Sequence, residues 1–152
     1  STPVGEMNVV KKMKEVSSIV GGEGGGGIIY PELHYGRDAL VGIALFLALL
    51  VDKKCKVSEL KPQYSEYFMK KIKITLEDSK LIDRSFKVIA ENYSELSPNT
   101  EDGVRIDFED AWVHMRKSNT EPIIRIFAEA NSQDIADSYA LKIEKEIKSI
   151  SA

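Results

Sequence analysis

The stretch VRIDFEDAWVHMRKSNTEPIIRIFA, residues 104–128, decides the fold. Val104, Ile106 and Phe108 alternate with Arg105 and Asp107, Glu109 and Asp110 turn the chain, and 111–115 run back, which is the pattern of a β-hairpin. A polar connection, 116–122, leads into another extended segment at 123–128. Upstream, Phe68, Ile72, Ile74 and Leu76 alternate with Met69, Lys71, Lys73 and Thr75, a half-buried strand with Lys70 as the exception on its apolar face. Ile82, Phe86, Ile89, Ala90 and Tyr93 recur at helical spacing behind Asp78 or Ser79 as cap, and a turn at 97–100 precedes the hairpin. Ile135, Tyr139, Ile143 and Ile147 mark a last helix. The order β-α-β-β-β-α, with short turns between strands, predicts an α+β domain: an antiparallel four-stranded sheet covered by two helices on one face.

The residues before it follow a different pattern. Val9, Val10, Met13 and Val16 predict a helix, and 17–20 a short strand that runs into Gly21, Gly22, Glu23, Gly24, Gly25, Gly26 and Gly27. Six glycines around one carboxylate are costly to order, so their use lies in positive φ or close backbone approach. An extended segment at 28–30 is interrupted by Pro31, and Asp38 caps a helix whose C-terminal dipole suits Lys53 and Lys54. The apolar run 39–51 within it is thirteen residues, too short to cross a bilayer core of about 30 Å, and reads as a buried helix. Residues 58–65, polar and carrying Pro62, read as a hinge. The expected organisation is the C-terminal part of an α/β domain at 1–57, the hinge at 58–65, and the complete α+β domain at 66–152.

Composition narrows the function. With 152 residues, 43% hydrophobic and 30% charged, the chain has the make-up of a packed globular protein. A net charge of −3 gives no general attraction to nucleic acid or anionic membranes, so any anion site must be local. The single cysteine, Cys55, cannot form an internal disulfide and fits a reducing compartment, which makes the cytoplasm the expected location. No basic and apolar leader opens the chain, and residues 1–5 read as mid-domain sequence, so an excised fragment is expected.

The chemistry concentrates at Arg116, Ser118, Asn119, Thr120 and Arg125. Guanidinium forks, short hydroxyl and amide donors and loop N–H groups match the several acceptor oxygens of a phosphate monoester. The same residues also suit an ordinary polar turn with solvent-facing arginines, and composition alone does not choose between the two.

Arg-x-Ser-Asn-Thr-x-Pro-x-x-Arg, as it stands from Arg116 to Arg125, resembles the phosphate-binding loop in the last domain of the phosphoglucomutase and phosphomannomutase superfamily. Thr2-Pro3-Val4-Gly5, then Gly21-Gly22-Glu23, then Tyr35-Gly36-Arg37-Asp38 resemble that superfamily's third, sugar-binding domain in the same order and separation. The resemblance therefore spans nearly the whole chain. It implies the C-terminal part of an intramolecular phosphotransferase that interconverts hexose 1-phosphate and hexose 6-phosphate through a phosphoserine and a bisphosphate. It also implies that Glu23 accepts from sugar hydroxyls and that Arg116, Ser118, Asn119 and Thr120 hold the unreactive phosphate, with Arg125 in contact with it or supporting the loop. The commoner sugar loop reads Gly-Glu-x-Ser-Gly-His, and here Gly25 and Gly27 stand for the Ser and His, so Gly25 offers the sugar only its backbone. Glucose, mannose and glucosamine phosphates are not distinguished by these residues.

The superfamily's catalytic Ser loop and Asp-x-Asp-x-Asp magnesium loop do not occur in these residues. The resemblance thus implies Mg2+ bound outside this fragment, no catalytic residue and no metal ligand within it, and no mutase activity for the fragment alone. Closure about 58–65 would shield the parent's site from water. Its partner would be a phosphosugar, neither nucleic acid nor membrane, and the truncated fragment is expected to self-associate. The rival reading is a free-standing phosphosugar-binding or regulatory module without catalysis. His34 and His114 lack neighbours at metal-ligand spacing, Cys55 lacks an activating context, Trp112 suits sheet packing, and Lys70, Lys71 and Lys73 suit a solvated strand edge. The glycine run lacks the Lys-Ser or Lys-Thr of a nucleotide-binding loop.

Overall fold

A computed structural model describes residues 2–75, 79–118 and 121–151. The chain divides into two compact units, Ser1–Tyr64 and Ser65–Ala152.

In the first unit, helix α1, Glu6–Val16, buries Val9, Val10 and Met13 against Ile29, while Val16 stays exposed. Ser17 ends it in the left-handed conformation at φ 52°. This ending displaces the strand expected at 17–20: Ile19 and Val20 are exposed, and the ladder begins instead at β1, Gly21–Gly22. It pairs with β2, Ile28–Tyr30, which pairs with β3, His34–Arg37, all antiparallel. Asp38 caps α2, Ala39–Lys53, by accepting from the Val41 N–H at 3.0 Å. That hydrogen bond, and a second from the His34 ring, hold the Asp38 carboxyl below its usual range.

The burial expected of α2 is overturned. None of its residues is buried, and Leu40 and Val51 are more than three-quarters exposed. The helix rests on Ile28 of β2 where Gly42 comes close. Apolar composition states which side chains should leave water, but burial requires a second surface. The segment 58–65 is largely helical, with α3, Val57–Leu60, running into a 3-10 turn, Lys61–Gln63, over a buried Leu60.

The second unit contains β4, Phe68–Thr75; α4, Ser79–Asn92; β5, Val104–Asp107; β6, Ala111–Lys117; β7, Ile123–Ala130; and α5, Gln133–Ser151. The strands form one antiparallel sheet in the order β4-β7-β6-β5. Period-two alternation sends Ile74, Val104, Ile106, Val113, Met115, Ile124, Ile126 and Ala128 to one face, where they meet Ile82 and Ile89 of α4 and Ile143 and Ile147 of α5. Burying one such isoleucine contributes about 1.5–3 kcal/mol, and the unit's core lies on this face. Leu76 and the cap residue Asp78 lie outside the described residues. Lys70 shares the helix-facing rows, as expected, because β4 is an edge strand. From there its ammonium reaches Asp137 on α5 at 3.4 Å.

Among the described residues of this unit, no helix packs on the opposite face. Across it run Lys73, Arg125 and Arg116, then Lys71, Phe127, His114 and Arg105, then Met69, Glu129, Trp112 and Asp107. Trp112 is half-buried there, donating to Glu129 at 2.9 Å beneath the Arg105 guanidinium.

Candidate functional site

The arginines separated by nine positions in sequence are opposite each other in the sheet. Arg116 of β6 pairs in register with Arg125 of β7, and Arg125 with Lys73 of β4, so three cations form one row at one end of the sheet face opposite α4 and α5. Side chains at such positions stand about 5 Å apart, where like charges repel. Two carboxylates offset the repulsion. Asp102 Oδ2 lies 3.0 Å from Arg116 Nε, and Glu121 lies 3.6 Å from Arg125 and 3.5 Å from Lys73. The Arg116 Nε is buried and its N–H is not aligned as a hydrogen bond, so the first contact is an ion pair by distance alone.

The loop 118–122 leaves from this row. Ser118 N–H donates to the Ile123 carbonyl at 3.0 Å and closes the loop, and Ile123 N–H donates to Glu121 at 2.8 Å. Asn119 and Thr120 lie outside the described residues. Thus Arg116 and Arg125, paired in register, and Ser118, bonded through its N–H to Ile123, lie at one end of the β6–β7 ladder.

Asp102 was not singled out by sequence, and its position depends on the turn before β5. Gly103 has φ 82°, and a Cβ there would run into the Met115 carbonyl of β6. His114 donates from Nε2 to the Asp102 carbonyl at 2.6 Å, which fixes the proton on Nε2 because a carbonyl only accepts. Burial pushes the His114 pKa down, the Arg116 and Arg105 charges add to this, and the bond to Asp102 opposes it. A base with a folded pKa below its unfolded one contributes stability at pH above the ordinary histidine range and loses it as pH falls through that range. Urea unfolding midpoints measured between about pH 7.5 and about pH 5.5 are therefore expected to fall for the native chain and to fall less for His114→Gln. Equal slopes in the two proteins would sink this expectation.

The sugar-loop residues lie in the first unit. Glu23 opens a tight turn in which Gly26 N–H donates to the Glu23 carbonyl at 2.9 Å, with Gly26 at φ 90°. One carboxylate oxygen of Glu23 accepts the Gly5 N–H at 3.0 Å, tying the loop to the start of α1. Glu23 lines a cleft of about 620 Å³ together with Lys12, Gly25 and Arg37. Arg37 is held by Glu6, whose carboxylate takes its backbone N–H at 3.1 Å and its Nε–H at 2.9 Å. Gly25 is exposed, and a side chain there would meet open space.

Two family models match the chain. Residues 1–67 match the phosphoglucomutase/phosphomannomutase α/β/α domain III, and residues 54–146 match the phosphoglucomutase/phosphomannomutase C-terminal domain. A phosphoglucosamine/phosphogalactosamine mutase of Sulfurisphaera tokodaii is 36% identical over 95% of this chain and 32% of that protein. A phosphoglucomutase/phosphomannomutase of Thermococcus kodakarensis is 37% identical over 91% of this chain and 30% of that protein. The chain thus spans about a third of the curated relatives it matches. A solved phosphoglucomutase/phosphomannomutase family protein of Burkholderia thailandensis shares the fold, with a TM-score of 0.71 at 24% identity over 97% of this chain and 31% of that one.

Proposed function

Because the chain belongs to the phosphoglucomutase/phosphomannomutase family, we propose that it is the C-terminal part of an enzyme that interconverts hexose 1-phosphate and hexose 6-phosphate. Residues 66–152 hold the substrate's phosphate through Arg116, Ser118, Asn119 and Thr120, with Arg125 beside them. Residues 1–57 supply the sugar contacts, Glu23 by its carboxylate and Gly25 by its backbone, and 58–65 act as the hinge. The observation that carries this reading is the in-register pairing of Arg116 with Arg125 at the mouth of the loop. Two guanidinium groups side by side are unfavourable alone and favourable around a dianion.

The nucleophile and Mg2+ belong to other parts of the parent. Among the described residues no three His, Cys, Asp or Glu side chains are grouped to hold a metal. Phosphoryl transfer depends on positioning and electrostatic stabilisation, and positioning is this chain's contribution. Among the described residues no helix is long and apolar enough to cross a membrane, and a reducing cytoplasm suits Cys55.

Amide NMR of this chain titrated with hexose 6-phosphate and with inorganic phosphate tests the assignment. Ser118 is expected to shift with both ligands, and Gly25 and Gly26 with the sugar phosphate. A spectrum unmoved at millimolar ligand would remove the binding role.

The isolated chain is also expected to self-associate, because Leu40, Ile43, Leu47 and Val51 form an exposed apolar stripe at helical spacing on α2. Light scattering at high concentration should show oligomers, and Ile43→Lys with Leu47→Glu should return a monomer. A native chain that stays monomeric would refute this.

A further inference from the structure

We infer that Asp102 is the positioning residue of the arginine clamp: its carboxylate holds the Arg116 guanidinium by charge from the Nε side, so that the outer edge of the fork is presented to the anion. The inference rests on the phosphate-binding reading of Arg116. It adds a residue that the loop motif does not contain and that lies fourteen positions upstream of it on a different turn.

Repulsion makes such a device necessary. Arg116 faces Arg125 directly across the ladder, with Lys73 next in the row, so an untethered Arg116 side chain would swing away from the other cations whenever the site is empty. Binding would then require the fork to be reordered each time, at the cost of its rotamer freedom. A fixed carboxylate on the far side of Nε removes that cost.

Asp102 is itself fixed by the strand that carries Arg116. His114 and Arg116 are two residues apart on β6 and point to the same face. His114 holds the Asp102 carbonyl at 2.6 Å, and Arg116 meets its carboxylate at 3.0 Å. The left-handed Gly103 lets the turn lie directly on the Met115 carbonyl, and the reciprocal bonds between Asn99 and Arg105, at 2.8 and 2.9 Å, hold the turn's other side. Exposure separates this pair from its neighbour. The Arg116 and Asp102 side chains are 27% and 29% exposed, whereas Arg125 and Glu121 are 51% and 47% exposed. The first pair is therefore the less screened by solvent, and the second the more.

The sign of one measurement separates positioning from bulk charge. Asp102→Asn removes a negative charge near the anion, so a site acting through net charge alone would bind inorganic phosphate more tightly. If Asp102 orients the fork, Asp102→Asn binds phosphate about tenfold more weakly, the lower end of what a charge-assisted bond contributes. Unchanged or tighter binding by the folded variant overturns the inference and leaves the phosphate reading intact. Should Asp102→Asn fail to fold, Asp102→Glu decides, since it keeps the charge but moves the carboxylate by one methylene: it too should bind phosphate more weakly than the native chain, and native-like or tighter binding overturns the inference. A native chain whose Ser118 amide ignores phosphate defeats the underlying reading and this inference together, and that result is visible before any variant is made.

Discussion

Arg116→Ala is expected to weaken phosphate binding by on the order of a hundredfold or more, with the fold retained. A guanidinium offers a dianion two parallel charge-assisted hydrogen bonds, each contributing about 1.5–3 kcal/mol, and a methyl group replaces neither. Arg116→Lys keeps the charge but loses the fork, so it should fall between the native chain and the alanine variant. Arg125→Ala should cost less than Arg116→Ala, because Arg125 is half exposed and Lys73 beside it shares the same carboxylate, Glu121. Isothermal titration with inorganic phosphate at fixed ionic strength checks the ranking, since these bonds weaken with salt. A native-like affinity in Arg116→Ala would dissolve the clamp.

Gly103→Ala is expected to be the most damaging single change to the second unit, with a loss of about 3 kcal/mol of stability. At φ 82° an alanine is strained before it touches anything, and its Cβ meets the Met115 carbonyl. That oxygen belongs to β6, where Met115 pairs with Val104 and Ile126, so it cannot retreat without opening two ladders. The thermal midpoint should drop by roughly 10–20 °C for a unit of this size. Gly25→Ala is the control: φ at Gly25 is not positive and its Cβ enters open space, so its midpoint should stay near the native value. If Gly103→Ala melts with Gly25→Ala, the turn before β5 is softer than its geometry implies. Because Asp102 sits on the same turn, Gly103→Ala should also lose phosphate affinity at temperatures where it remains folded.

Strand pattern and site motif were legible to different depths. Phe68 to Thr75 and Val104 to Ala130 show their strands through alternation, and Arg116 to Arg125 show a cluster of donors, because both are local properties of the chain. The misplaced strand at 17–20 has a local cause too: Ser17 closes α1 in a left-handed conformation, and the glycines that follow pair without a side-chain pattern to announce it. The role of Glu121, shared by Lys73 and Arg125, needed β4 to pair with β7 across half of the domain.

From residue order alone follow the α+β make-up of 66–152, the helix-facing isoleucines and the donor-rich loop, since periodicity and side-chain chemistry are carried by neighbours along the chain. Tertiary structure decided the strand order β4-β7-β6-β5, the row of Lys73, Arg125 and Arg116, the carboxylate of Asp102 beside Arg116, and the exposure of α2. Each of these depends on which distant segments come together. Pairing register and burial are settled by the summed contacts of whole surfaces, and no short window of sequence contains them.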